Sequence, residues 1–176
     1  MKGLLRLSGA IDRLNQRIGG VILWLTLAMV IVGAGNAILR YLTRYAGVSL
    51  SSNAFIDLQW YMFSLVFLLG AAWGLGNGAH VRVDVMYERL SVRTRAIIDL
   101  VGTLLFLIPF SILMLYVSWP PVRNSWAILE ASPDPGGLAR YPIKTVIMVG
   151  FALLLIQGVS EVIKKIDFLR SGGAAE

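Results

Sequence analysis

The sequence predicts an all-α membrane protein with four transmembrane helices. Of its 176 residues 57% are hydrophobic, and the mean hydropathy is +0.72. Soluble domains contain about 45–50% apolar residues even when glycine is counted. The apolar residues are clustered in four long runs, and most of the basic residues lie between those runs. There is no cysteine, which excludes disulfides, thiolate metal sites and a cysteine nucleophile.

Each apolar run is long enough to cross a bilayer. A hydrocarbon core of about 30 Å needs about 20 helical residues. The runs cover residues 18–39, 55–76, 97–119 and 145–163. Backbone groups in lipid must hydrogen-bond within the protein, so each run is expected to be a helix. The first run begins too late and is too long for a cleaved signal peptide, and residues 1–176 are expected to form a single membrane domain.

The distribution of lysine and arginine predicts the orientation. Eleven of the 16 basic residues lie in the N-terminal tail, the connection between the second and third runs, and the C-terminal tail. The positive-inside rule therefore places both termini in the cytoplasm and residues 120–143 on the outer side of the membrane. The net charge of +6 is then explained by contact with a membrane surface rather than by binding to nucleic acid. Tryptophans near the ends of runs are expected membrane anchors: Trp24, Trp60, Trp73 and Trp119.

Residues 1–17 have the pattern of an amphipathic helix. Apolar residues recur at steps of three and four, and basic residues fall largely between them. The apolar positions are Leu4, Leu7, Ile11, Leu14 and Ile18. We expect an N-terminal interfacial helix at the inner membrane surface. The alternative is that this segment is only the cytoplasmic start of the first span.

The segment HVRVDV, residues 80–85, marks the exit of the second span. Its alternation resembles a strand, but a short interfacial helix over residues 82–90 fits the spacing better, and Ser91 is expected to cap the third helix. His80, Arg82 and Asp84 raise the question of catalysis. The chain has no second histidine and no cysteine, so a charged membrane-exit segment is favoured. Such a segment is compatible with partner docking, for which these three residues and Tyr87 are candidates.

The periplasmic loop, residues 120–143, contains NSWAILE and the turn cluster SPDPGG. The first motif is expected to form a helical turn. Its residues Trp126 and Glu130 are candidates for docking a periplasmic partner. The alternative for Trp126 is a membrane anchor.

Few polar side chains lie inside the predicted spans. Asp57, Asp99 and Glu161 lie near span ends and can reach the interface. The neutral residues Asn36, Gln59 and Gln157 are candidates for interhelical hydrogen bonds. The alternative for Asn36 and Gln157 is a contact with substrate. Pro109 is expected to kink the third helix. No interrupted helix pair, inverted repeat or buried charge relay is visible, which argues that the chain does not carry a substrate itself.

Four segments together resemble the small membrane subunit, the DctQ type, of tripartite ATP-independent periplasmic (TRAP) transporters. They are AHVRVDVMYERLS at 79–91, RAIIDLVGTLLFLIPF at 95–110, SWAILEAS at 125–132 and GGLARYPIKTVIMVGFALLLIQGVSEVIK at 136–164. The resemblance covers most of the chain from about residue 18. One departure is Ala79, where the family often has glycine.

The resemblance implies a non-catalytic scaffold without a cofactor. A periplasmic binding protein would capture an organic acid, and a large multi-span subunit would move it inward with sodium. The expected partners are those two proteins and membrane lipids, with no nucleic acid.

Two alternative functions stay open. One is a self-contained homo-oligomeric transporter or channel, which would need a membrane-buried charge, and Glu161 is the nearest candidate for it. The other is a haem-binding bundle, which usually needs two histidines where this chain has only His80.

Overall fold

A computed structural model of the chain describes residues 1–47, 51–79, 87 and 90–171. Most of the described residues are helical, and they contain no strand beyond one isolated bridge between Ala131 and Ala139. Four helices are long and apolar enough to cross a membrane. The predicted all-α class with four spans is therefore confirmed.

The helices follow in chain order and are numbered here as they occur. Helix α1 is Lys2–Ala46, and α2 is Asn53–Gly76. The third span contains α3, Val92–Gly102, a π-helical turn, Thr103–Leu107, and α4, Ile108–Ala127. Helix α5 is Tyr141–Arg170. It packs against all of the others, so it forms the centre of the bundle.

The bundle has two distinct ends. The Arg170 guanidinium lies 3.8 Å from Met1 Sδ, so the start of α1 and the last turn of α5 lie at one end, called the terminal end below. At the opposite end, Asn53 Nδ2 donates to the Pro135 carbonyl at 3.0 Å. The α1–α2 connection and the α4–α5 loop therefore meet there, and this is called the loop end.

Serine side chains cap the N-termini of two helices. Ser52 Oγ accepts from the Ala54 amide at 3.2 Å at the start of α2. Ser91 Oγ accepts from the Thr94 amide at 3.2 Å at the start of α3. The predicted Ser91 cap is therefore confirmed.

A separate N-terminal interfacial helix is not confirmed, because α1 is continuous from Lys2 to Ala46. Its first turns pack on α5. Ser8 Oγ lies 2.7 Å from Ser160 Oγ, and Asn15 bonds Gln157. Tertiary packing thus keeps the chain helical through the boundary expected near residue 17. The second predicted interfacial helix, residues 82–90, lies outside the described residues except for Tyr87 and Leu90.

The third span contains a π-helical turn and extends beyond its predicted end. The π-helical turn ends just before Pro109, and the Ile108 amide bonds the Thr103 carbonyl five residues earlier. Helix α4 then continues through Pro120 and Pro121 to Ala127, so a loop beginning at residue 120 was wrong. The helix persists because Val122 and Ser125, beyond the proline pair, are buried. The loop between helices is residues 128–140.

Candidate functional site

At the terminal end, α1 and α5 enclose a polar cluster around Gln157. This amide is fully buried. Its Oε1 accepts from Asn15 Nδ2 at 2.6 Å. Its Nε2 donates to Asp12 Oδ1 at 2.9 Å and to Glu161 Oε1 at 3.2 Å. One side chain of α5 thus bonds two positions on α1 and one further position on α5.

Ionic contacts complete this terminal cluster, which consists of Ser8, Asp12, Asn15, Gln157, Ser160, Glu161 and Lys164. Lys164 Nζ lies 3.2 Å from Asp12 Oδ2 and also pairs with Glu161. Ser160 Oγ donates to Asp12 Oδ1 at 3.0 Å. The charges are therefore used within the chain, and the cluster fastens α1 to α5.

A separate ion pair ties α3 to α5. Lys165 Nζ donates to Asp99 Oδ2 at 2.8 Å. The Tyr87 hydroxyl donates to Asp99 Oδ1 at 2.7 Å, and the Arg95 guanidinium lies 5.5 Å from the Tyr87 ring centroid. Tyr87, a docking candidate, is therefore held against the start of the third span.

The loop end contains a clasp of three α2 side chains, Asn53, Asp57 and Tyr61. Asp57 Oδ2 accepts from the Leu138 amide at 2.9 Å. The Tyr61 hydroxyl donates to the Ala139 carbonyl at 2.9 Å. Together with Asn53, these groups hold residues 128–140 against α2. The position of Asp57 near a span end was predictable from the sequence, but its role in holding the loop was not, because backbone partners in a loop leave no signal in local sequence.

Removing the Asp57 carboxylate should release this loop. We expect Asp57→Ala to raise the rate of trypsin cleavage after Arg140 about tenfold, because a charge-assisted hydrogen bond contributes about 1.5–3 kcal/mol. Cleavage in detergent would be followed by mass spectrometry. Asp134→Ala is the matched control, since Asp134 is an exposed residue of the same loop. Equal rates in both variants would contradict the clasp.

The other side of the loop is fastened to α5. Glu130 pairs with Lys144, and the Glu130 carbonyl accepts from the Arg140 amide at 2.7 Å. Trp126 Nε1 donates to Thr145 Oγ1 at 2.8 Å, and its ring lies edge-on to that of Tyr141. The docking candidates Trp126 and Glu130 therefore both contact α5, while 48% of Trp126 remains exposed.

The Glu130–Lys144 pair predicts that the stability of the folded protein depends on pH. The hydrogen bond and ion pair with Lys144 hold the pKa of Glu130 below its ordinary value of 4.5. The resulting stabilisation is present above that value and is lost as the pH falls through the lower pKa of the folded state. We therefore expect acidification from about pH 6 to about pH 3.5 to lower the melting temperature more in the wild type than in Glu130→Gln. Identical pH profiles in differential scanning fluorimetry would refute this.

The candidates for interhelical contact lie in different settings. Asn36 is buried and its Oδ1 accepts from Ser51 Oγ at 2.8 Å. Gln59 lies against Gly33, where a Cβ atom would collide with the Gln59 amide.

The tryptophans expected to be membrane anchors differ in exposure. Trp24, Trp60 and Trp119 are exposed, whereas Trp73 packs on Gly19.

The candidates His80, Arg82 and Asp84 lie outside the described residues. Within the described part of the chain, no group of three or more His, Asp or Glu side chains is placed to hold a metal ion.

Comparison with known families identifies the chain. The family model for the DctQ component of tripartite ATP-independent periplasmic transporters matches residues 29–168. The chain belongs to the DctQ family. It is thus a small membrane subunit of a TRAP transporter. No curated protein and no solved structure matches it. The match to the DctQ family includes α2 to α5 but not Ser8, Asp12 and Asn15, the α1 part of the terminal cluster.

Proposed function

We propose that this DctQ-family chain is a scaffold that does not carry substrate. It supports a large multi-span subunit in sodium-driven uptake of an organic acid, which a periplasmic binding protein delivers. It lies in a bacterial inner membrane with both termini in the cytoplasm, and it contributes no catalytic group and needs no cofactor.

The observation that carries this proposal is the position of the charges along the bundle. Residues 18–39, 58–79, 100–122 and 145–160 contain no Asp, Glu, Lys or Arg. The charged side chains that the structure describes lie at the two ends, where the terminal cluster and the ion pairs use several of them. Between the ends, hydroxyls such as Thr26, Ser64 and Ser111 bond carbonyls of their own helices. Coupled ion and acid transport normally uses ionisable groups within the membrane.

The outer surface supports a role in assembly. Large apolar side chains are exposed along the spans, among them Phe63, Phe67, Phe110 and Tyr116. A single chain of this size thus presents apolar area to lipid and to another membrane protein. The distribution of basic residues supports cytoplasmic termini.

Uptake by the reconstituted system tests this proposal. Liposomes would contain the large subunit with or without this chain, and would receive the binding protein, radiolabelled acid and a sodium gradient. We expect uptake only when all parts are present. Uptake by this chain alone would contradict the proposal and favour a self-contained transporter, and unchanged uptake without it would remove the scaffold role.

The segment at 80–87 is proposed to dock the large subunit. We expect Arg82→Glu or Asp84→Lys to weaken assembly, because a like-charge contact replaces an attractive one. Recovery of the large subunit with the tagged chain would be measured, with Arg44→Glu at the loop end as the charge-matched control. Wild-type recovery in both docking variants would exclude this segment.

A further inference from the structure

A groove between α1 and α2 lies in the half of the bundle nearer the loop end, and its volume is about 690 Å³. Helix α1 contributes the small residues Gly33 and Ala34, and α2 contributes Trp60 and Phe63, whose side chains are exposed. Small residues of this kind let a second helix approach closely in a membrane. The α1–α2 groove is defined here by these lining residues: Val30, Gly33, Ala34, Gln59, Trp60 and Phe63.

The Gln59 side chain lies across α1 inside this groove. A Cβ atom at Gly33 would collide with the Gln59 amide, so the absence of a side chain at Gly33 makes room for it. No hydrogen-bond partner of this amide is found among residues 1–47, 51–79, 87 and 90–171. The other two candidates for interhelical contact, Asn36 and Gln157, both bond groups of the chain itself. Gln59 is therefore the candidate whose polar atoms are left for a partner.

The depth of the Gln59 amide argues for a protein partner rather than a lipid. Gly33, which the amide contacts, is six residues from the end of the charge-free run 18–39, or about 9 Å along the helix. Acyl chains surround a span at this depth, and they have no hydrogen-bond donor or acceptor. Leaving the amide against them costs free energy. A polar side chain of a neighbouring helix would bond the amide and remove that cost.

The exposed apolar surface continues from the groove along both helices. On α2, Phe67 lies one turn from Phe63, and the two rings stack with their centroids 6.2 Å apart. On α1, Leu27 and Val30 are exposed one turn apart. A helix lying in the groove would therefore cover apolar side chains of α1 and α2 over several turns, in addition to the Gln59 amide. Close packing and interhelical hydrogen bonds are the interactions that associate helices in membranes.

We propose that a transmembrane helix of the large subunit packs into the α1–α2 groove and bonds the Gln59 amide through a polar side chain of its own. This inference rests on the proposed scaffold function, and it names the face of the chain that meets the large subunit within the membrane. The partner helix would carry small residues opposite Gly33 and Ala34. A hydroxyl or amide side chain would lie opposite Gln59.

Site-specific crosslinking tests the groove directly. The chain has no cysteine, so one introduced cysteine carries a benzophenone at one position. Val30→Cys places the benzophenone in the groove, and Val117→Cys makes the same change on α4, where the valine is similarly exposed (59% and 54%). Both variants would be irradiated in membranes that contain the whole transporter. We expect Val30→Cys to crosslink to the large subunit at least tenfold more than Val117→Cys.

The other outcomes separate failure of the groove from failure of the scaffold function. Equal crosslinking from the two positions, or capture of a second copy or of lipid alone at Val30→Cys, would overturn the proposal. The tagged chain would also be purified from the same membranes without irradiation. If the large subunit is recovered there but does not crosslink, only the assignment of the groove fails. If the large subunit is not recovered, the scaffold function fails with it.

Gln59→Met isolates the hydrogen bond from packing, because methionine keeps the length of the side chain but has no N–H donor and only a weak acceptor. Ser64→Ala is the matched control, since Ser64 Oγ already bonds the Trp60 carbonyl of its own helix. We expect recovery of the large subunit with the tagged chain to fall about fivefold in Gln59→Met and to stay unchanged in Ser64→Ala. Both chains should unfold at the wild-type SDS concentration. Wild-type recovery with Gln59→Met would overturn the role of this amide.

Discussion

Replacing Gln157 with leucine is expected to lower the free energy of unfolding by about 2–4 kcal/mol. The substitution removes three hydrogen bonds between and along α1 and α5. It also leaves the Asn15 amide, which is buried, without its acceptor. Interhelical hydrogen bonds in membranes contribute about 0.6–1.7 kcal/mol each, and a buried unpaired donor costs about 1–3 kcal/mol.

Unfolding by SDS in mixed micelles would measure this effect. Gln59→Leu is the matched control, because no hydrogen-bond partner is seen for the Gln59 amide among the described residues. We expect the free energy of unfolding of that control to lie within about 0.5 kcal/mol of the wild-type value. An equal loss in the two variants would show that the terminal cluster does not fasten α1 to α5.

Replacing Gly150 with leucine should be at least as disruptive, with an expected loss of about 3 kcal/mol. Gly150 on α5 faces the backbone of α2. A Cβ atom there would lie 2.9 Å from Leu68 Cβ and 3.0 Å from the Leu68 carbonyl oxygen. The two helices must therefore separate to admit any side chain.

The matched control is Gly35→Leu, since a Cβ atom at Gly35 meets nothing within 4 Å. Leucine has a higher helix propensity than glycine by nearly 1 kcal/mol, so we expect this control to be neutral or slightly stabilising. The same SDS titration applies. A stable Gly150→Leu variant would show that α2 and α5 are farther apart than described.

The number of spans was predictable because it depends on local composition. Each apolar run is a property of consecutive residues, and the bilayer sets its length. The Ser91 cap was predictable for the same reason, since the serine bonds an amide only three residues away. The family was also recognisable from the order of four segments along the chain.

Long-range partners were not predictable in this way. Asp12 and Asn15 belong to a segment that resembles a surface helix, yet they bond Gln157 about 140 residues later. Asp57 bonds a loop amide 81 residues away. The third apolar run ends at residue 119, but the helix continues to Ala127, where Val122 and Ser125 are buried against the rest of the bundle. These outcomes depend on which helices are neighbours.

The most direct test of the scaffold account is the composition of the native assembly. The tagged chain would be purified in mild detergent from membranes of its native host, and the intact complex would be weighed by native mass spectrometry. The account predicts one large multi-span membrane protein for each copy of this chain. Recovery of this chain alone, as a defined oligomer that transports substrate in liposomes, would contradict it.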